Sequence, residues 1–243
     1  MMKRIFDFTV SFIGLVMTLP LTIPVLILIW IQDFKNPFYI APRVGRKFKT
    51  FRMIKFRSMV VNADKTGVQS TSAADARITP IGNFVRKYKM DELSQFLNVF
   101  IGDMSFVGPR PQVRETGTDL YTDEEKRMLD VKPGITDFAS IVFSDEGNIL
   151  KDSKNPNLDY NRLIRPWKSR LALLYVDKRS FFLDIKLMIL TAVAIISKQK
   201  ALVYINEILI NLKADPLLIE VCKREKPLIP YAPPGTKKIV DKV

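Results

Sequence analysis

IFDFTVSFIGLVMTLPLTIPVLILIWI, residues 5–31, decides the fold class, because it is apolar apart from Asp7 and a few hydroxyls. It is longer than the roughly 20 residues a helix needs to cross a hydrocarbon core about 30 Å thick. It does not read as a cleavable signal peptide. No small-residue cleavage site follows the apolar core, only Trp30, Asp33 and then a basic region. Two prolines interrupt the run. Pro20 cannot donate to the carbonyl of Val16, nor Pro24 to that of Pro20, so a helix here should bend between them, with Thr18 and Thr22 placed to help satisfy the freed groups. Lys3 and Arg4 precede the run, and Arg43, Arg46, Lys47, Lys49, Arg52, Lys55 and Arg57 follow it. Cytoplasmic flanks are the basic ones, so this charge argues that both ends face the cytoplasm. Two arrangements remain open on composition: a re-entrant helix that dips into one leaflet and returns, or a single span kinked at proline.

A second apolar run, Leu187 to Ile196, is too short to span and is bracketed by Lys186, Lys198 and Lys200. It reads as a core helix or one lying in the membrane interface, which makes the chain monotopic. Around Gly45-Arg46, residues 39–58 alternate as a small β-hairpin, with Phe48, Ile54 and Phe56 on one face and Lys49, Lys55 and Arg57 on the other. The polar stretch 62–76 reads as a mobile loop where a substrate lid could sit. Helices are expected over 122–129, opened by a hydroxyl cap and an acidic first turn, and over 166–175 and 184–197. Beyond 204 an amphipathic stretch runs into Pro227, Pro230, Pro233, Pro234 and Gly235, an appended helix followed by an extended arm. The expected architecture on these grounds is mainly α with a small β-hairpin: an apolar membrane helix over 1–36, a compact domain over 37–200 and a C-terminal extension over 201–243.

The 243 residues carry a formal charge of +13, a pI near 9.8, a single cysteine and no histidine. An anionic partner follows from the charge, whether nucleic acid, anionic lipid or a phosphorylated substrate. An internal disulfide framework, His-based zinc sites and imidazole bases are all excluded. Catalysis is left to carboxylates, Lys, Arg, hydroxyls and an oxygen-ligated Mg²⁺.

Residues 86–112 collect such groups. Arg86 precedes the acidic pair Asp91-Glu92, an amphipathic run follows with Leu93, Phe96, Leu97 and Phe100 on one face, and the segment closes on Gly108-Pro109-Arg110-Pro111. This spacing puts Asp91 at or near a helix start, where unpaired N–H groups and the helix dipole favour anions. An acidic first turn is also an ordinary helix cap. An ionised carboxylate near a bound phosphate can attack it or hold its metal. Arg110, between two prolines that fix its backbone, and Arg86 both suit a bidentate phosphate clamp.

With these residues in view, the chain resembles the bacterial sugar transferases, monotopic phosphoglycosyl transferases that act on a polyprenol phosphate. The resemblance runs from Lys3-Arg4-Ile5-Phe6-Asp7 through Pro20, Arg43-Val44-Gly45, Lys55-Phe56-Arg57-Ser58-Met59, Arg77-Ile78-Thr79, Asp91-Glu92-Leu93 and Asn98-Val99. It continues through the highly specific string Gly102-Asp103-Met104-Ser105-Phe106-Val107-Gly108-Pro109-Arg110-Pro111 and Lys132-Pro133-Gly134-Ile135-Thr136, ending near Tyr175, Asp184 and Thr191. It implies a re-entrant (monotopic) membrane helix broken at Pro20, a compact cytosolic catalytic domain, and transfer of a sugar 1-phosphate from a nucleoside diphosphate sugar, a UDP-sugar, to undecaprenyl phosphate, with Mg²⁺ required. It further implies that Asp91 is the nucleophile and forms a covalent phosphosugar intermediate, that Asp91 and Glu92 serve the metal, and that Lys55, Arg86 and Arg110 meet the phosphates. The expected site is the cytoplasmic face of a bacterial inner membrane, in contact with membrane lipid and without nucleic acid. Three places depart from the family pattern: Leu19 replaces a Ser before the helix-breaking proline, Asp137-Phe138-Ala139-Ser140 replaces Gly-Trp-Ala-Gln, and 143–165 resembles a longer subgroup. The rival reading is a non-catalytic, membrane-anchored basic protein binding anionic lipid or nucleic acid. It leaves the Gly-Pro-Arg-Pro string without a reason.

Overall fold

The computed structural model describes residues 2–63, 75–115 and 117–241. The loop and lid expected over 62–76 thus fall, for 64–74, outside the described residues. Helix α1 (Met2–Ile31) runs helically through both prolines. The hairpin follows as β1 (Phe38–Val44) and β2 (Thr50–Phe56), antiparallel with Ile40 opposite Ile54. Then come α2 (Pro80–Lys87), α3 (Gln95–Ile101), β3 (Ser105–Val107), α4 (Asp123–Lys126), β4 (Gly134–Thr136), α5 (Phe138–Val142), α6 (Glu146–Ile149) and α7 (Pro156–Asp159). The chain continues with α8 (Arg165–Lys178), α9 (Phe181–Ile196), α10 (Lys198–Asn211) and α11 (Pro216–Lys223). The described residues are therefore mainly helical with a small antiparallel hairpin, as expected, plus a short parallel β3–β4 pair.

α1 lies along this body on one face. Asp7, Ser11, Thr22, Val25 and Ile29 are buried, whereas Phe12, Val16, Leu19, Ile23 and Ile27 are about half exposed. At its start, Lys3 pairs with Asp184 and donates to the carbonyl of Val107 at 3.0 Å, and Arg4 donates to the last carbonyls of α3, Val99 and Phe100, at 2.6 and 2.7 Å. At its end, Arg57 bonds Asp33 at 2.6 Å and the carbonyl of Ile29 at 3.3 Å. The threonines behave otherwise than expected. Thr18 Oγ1 donates to the carbonyls of Gly14 and Leu15, and Thr22 Oγ1 to that of Leu19, not to the groups that Pro20 and Pro24 leave free. A helical hydroxyl reaches the carbonyls three and four residues back, and Val16 is only two behind Thr18.

The main core gathers Val99, Met104, Phe138, Ile141, Trp167, Leu171, Tyr175 and Leu187 with Ala201, Leu202, Ile205, Leu209, Leu218 and Cys222. The appended stretch is thus two helices, not one, and both bury their apolar stripes in that core. Ser197 caps α10, and Asp215 caps α11 by accepting from Leu217 N and Leu218 N. The arm beyond is tied to α8. Pro166 has no N–H for the carbonyl of Arg162, a turn of π-helix forms over Tyr160–Ile164, and that carbonyl accepts from Tyr231 N at 3.0 Å. Tyr231 also stacks on Trp167 with centroids 4.5 Å apart.

Candidate active site

Two hydrogen-bonding residues, Asn98 of α3 and Ser94 just before it, set the site. Strand β2 has a free edge, and unpaired backbone groups there need partners. Asn98, fully buried, accepts from Ile54 N at 3.0 Å and donates to the Arg52 carbonyl at 2.7 Å, while Ser94 Oγ donates to the Ile54 carbonyl at 3.1 Å. The next residue on β2, Lys55, is thereby aimed at the acidic pair. Its Nζ lies 3.4 Å from Asp91 Oδ2 and 3.7 Å from Glu92 Oε1. The hairpin expectation is corrected here. Lys55 is not on a solvated basic face but mostly buried, and Phe48 sits in the turn with φ of 60°.

Asp91 and Glu92 occupy a 3₁₀ turn, Met90–Glu92, one turn before α3, so the α-helix begins later than the apolar spacing predicts. Lys89, in the left-handed region at φ 53°, swings the chain out of α2 into this turn, and Met90 anchors it in a small cluster with Val25, Ile29, Phe56 and Val85. That cluster holds the pair beside the end of α1. Arg86, on the last turn of α2, lines the same cleft and makes no ion pair among the described residues. Burial lowers its affinity for a proton, and the charge of Asp91 opposes that.

Arg110 arrives from the β3–β4 crossing. A Cβ at Gly108 would stand 2.3 Å from the Lys132 carbonyl and one at Gly134 would stand 2.1 Å from Gly108 N, so only glycines let these backbones meet. The crossing is closed by Gly108 N to the Thr136 carbonyl and Gly134 N to the Pro109 carbonyl, each at 3.0 Å. Arg110 then places Nη1 at 3.0 Å from Glu92 Oε1. Burial favours the neutral form of Glu92, yet Arg110, Lys55 and Lys89 outweigh it and hold its carboxyl at about 2. Arg110 is in turn pushed up by Glu92. Lys55 is pulled below the ordinary lysine range by burial, against the opposing charge of Asp91.

The cleft holding these side chains measures about 970 Å³, ample for a nucleotide-sized ligand. Its lining adds groups that sequence reasoning missed: Gln95, 2% exposed with Nε2 unpartnered, and the ion pair of Lys168 with Glu146. Gln95 sits beside the apolar stripe of α3, a position where a polar residue was the only signal. Nothing local announces the Lys168–Glu146 pair. In the departing segment 137–140, Asp137 is buried and caps α5 by accepting from Ser140 N at 2.6 Å, while Ser140 itself faces the cleft. Pro20 lies inside α1 and outside this cleft.

As a metal site, the described residues offer no cluster of three or more acidic or thiol ligands, and in the cleft the adjacent carboxylates are Asp91 and Glu92. That donor set fits Mg²⁺, which takes one or two carboxylates and completes its shell with water and substrate phosphates. It does not fit a closed structural site.

The family model for bacterial sugar transferases matches residues 1–198. An uncharacterized sugar transferase, EpsL, of Bacillus subtilis is 35% identical over 190 residues, covering 78% of this chain and 85% of that one. A putative undecaprenyl-phosphate N-acetylgalactosaminyl 1-phosphate transferase of B. subtilis is 39% identical over 122 residues, 50% of this chain and 68% of its own. The undecaprenyl-phosphate glucose phosphotransferase of Komagataeibacter xylinus is 35% identical over 195 residues, 78% of this chain, which spans only 35% of it. With a match over residues 1–198 and a cleft built on Asp91, Glu92, Lys55, Arg86 and Arg110, the chain belongs to the bacterial sugar transferase family.

Proposed function

We propose that this chain transfers a sugar 1-phosphate from a nucleoside diphosphate sugar, a UDP-sugar by family resemblance, to undecaprenyl phosphate, through a covalent intermediate on Asp91. The observation that carries the proposal is the convergence of Asp91 and Glu92 with Lys55 and Arg110, within 3.0 to 3.7 Å, in one cleft beside the end of an apolar helix. Lys55 holds one oxygen of Asp91. The other attacks the sugar-linked phosphorus, and the bond to the bridging oxygen breaks, releasing nucleoside monophosphate. An oxygen of the polyprenol phosphate then attacks the same phosphorus, the Asp91–phosphorus bond breaks, and the carboxylate is regenerated. Arg86 and Arg110 offer guanidinium forks to the phosphates, and Lys55 offers a point charge. Mg²⁺ held by Asp91 and Glu92 would neutralise diphosphate charge. Among the relatives, transfer to undecaprenyl phosphate stands in the names of the N-acetylgalactosaminyl 1-phosphate and glucose enzymes.

The membrane placement rests on the two ends of α1. Lys3 docks on Asp184 and Tyr175, while Ile29 and Asp33 dock on Arg57, all in one folded body. One body cannot stand on both sides of a bilayer, which supports a re-entrant reading in which the exposed apolar face of α1 meets lipid. The α9 stripe of Phe182, Ile189 and Ile196 adjoins it through the Phe6–Phe181 contact at 5.3 Å. Cysteines introduced beside Lys3 and Lys47 are expected to be labelled from the same, cytoplasmic side of the inner membrane; labelling from opposite sides would establish a span. For the chemistry, a radiolabelled nucleotide sugar should leave a phosphosugar adduct on the protein, and Asp91→Asn should abolish it with fold and membrane extraction unchanged. An adduct that persists in Asp91→Asn removes Asp91 as nucleophile.

A further inference from the structure

Asp145 lies immediately before Glu146, whose carboxylate pairs with Lys168 on the cleft wall. That wall is within electrostatic reach of Arg110, because Glu146 contributes to the upward push on Arg110 and Arg110 acts in turn on Lys168. Asp145 itself points away, towards the C-terminal helices. Lys198, the first residue of α10, stands 2.6 Å from Asp145 Oδ1, and Arg224, which ends α11 in the left-handed region at φ 59°, donates to Asp145 Oδ2 at 3.3 Å. The Arg224 guanidinium also lies over the ring of Phe143, 5.3 Å from its centroid, and Phe143 lines the cleft. Two cations from the end of the chain thus grip a segment, 143–147, that contributes Phe143, Ser144, Glu146 and Gly147 to the site. Arg224 falls beyond the 1–198 stretch that the family model matches.

We propose that Arg224 and Lys198 are positioning residues for the nucleotide-sugar side of the cleft: by holding Asp145 they fix Glu146, and Glu146 orients Lys168 beside Arg110. The inference rests on the transferase reading above. The donor side is specified because α1, which the transferase reading lays against the lipid that carries the polyprenol, packs principally on α2, α3 and β3, whereas Glu146 sits on a short helix held from α10 and α11. Lys168, also over the Tyr160 ring at 5.4 Å, is a cation that a nucleotide diphosphate or a sugar hydroxyl can engage once its orientation is set.

Steady-state kinetics of the full chain, with a nucleoside diphosphate sugar and polyprenol phosphate varied separately, test the proposal. Arg224→Met and Asp145→Asn should each raise the donor KM about fivefold, leaving the acceptor KM and kcat near wild type. The double variant should be no worse than the worse single one, since both break one linkage. Arg224→Lys keeps the charge but loses the stacking on Phe143, and should fall in between. A merely structural role would instead lower thermal stability and the amount of active enzyme with donor KM fixed. If Arg224→Met does not fold, the near-isosteric Asp145→Asn carries the test. An unchanged donor KM in Asp145→Asn, or additive effects in the double variant, overturns the positioning role and leaves the transferase reading standing. Absence of turnover by the wild type with every nucleotide sugar removes both.

Discussion

Glu92 with Arg110 and Glu125 with Arg165 are the same chemical pair in two settings. Glu125 is wholly buried and accepts from Arg165 Nε at 3.1 Å and Nη2 at 2.6 Å, from Ser169 Oγ at 2.6 Å and from Thr122 N at 3.0 Å. Arg165 spends its remaining donors on Asn161 Oδ1 and the Leu120 carbonyl. Both Glu125 oxygens and all three guanidinium nitrogens of Arg165 have partners within the fold. Among the described residues Glu92 has a single aligned hydrogen bond, from Arg110 at 3.0 Å, with Lys55 at 3.7 Å, and the Arg110 side chain is 39% exposed. The difference separates a pair that holds α4 to α8 from one left open to exchange partners, as the proposed phosphate transfer requires. Completeness of hydrogen bonding, more than residue type, distinguishes the structural pair from the reactive one.

The comparison can be broken by substitution. Arg165→Met strands a buried carboxylate and should cost about 3–5 kcal/mol of stability, read from denaturant unfolding, with activity per folded molecule retained. Arg110→Lys replaces a fork by a point charge and should cut kcat about 100-fold with little change in the unfolding midpoint. If the two variants exchange these signatures, the assignment of roles is wrong. Asn98→Ala, which orphans Ile54 N and the Arg52 carbonyl, should destabilise by about 1–3 kcal/mol and also weaken turnover, because β2 carries Lys55. The smallest effect is in pH dependence. Glu92 titrates at about 2 instead of its ordinary 4.5, so its pairing contributes stability above the ordinary value and loses it only as pH falls through about 2. In Arg110→Met the acid limb of the stability profile should move to higher pH. A limb that stays in place shows that Arg110 does not set the charge of Glu92.

What could be read from the sequence follows from range. The hairpin, the capped helix opening at Thr122 and the two helices α8 and α9 depend on spacings of a few residues, and they stand where periodicity and capping put them. The Thr122–Glu125 box is complete, with Glu125 N donating to Thr122 Oγ1 at 3.2 Å. The gathering of Asp91, Glu92, Lys55, Arg86 and Arg110 was legible through motif resemblance, although Lys55 is 36 residues from Asp91. Burial of Lys55 was not legible, because alternation says which residues share a face but not which face is covered. The 3₁₀ turn at Met90–Glu92 escaped because 3₁₀ and α turns share nearly the same apolar spacing over one turn. Lys168–Glu146 and Arg165–Glu125, separated by 22 and 40 residues, have no local pattern at all.

The tether at the start of α1 bears on how the protein is made. Lys3 pairs with Asp184, 181 residues downstream. At the roughly 5–20 residues per second of synthesis, that partner emerges about 9–36 seconds later. The apolar helix is therefore synthesised long before the pocket that will receive its ammonium exists. The nascent chain thus makes its apolar helix first and the docking site for Lys3 late, so this tether waits until α9 has been made.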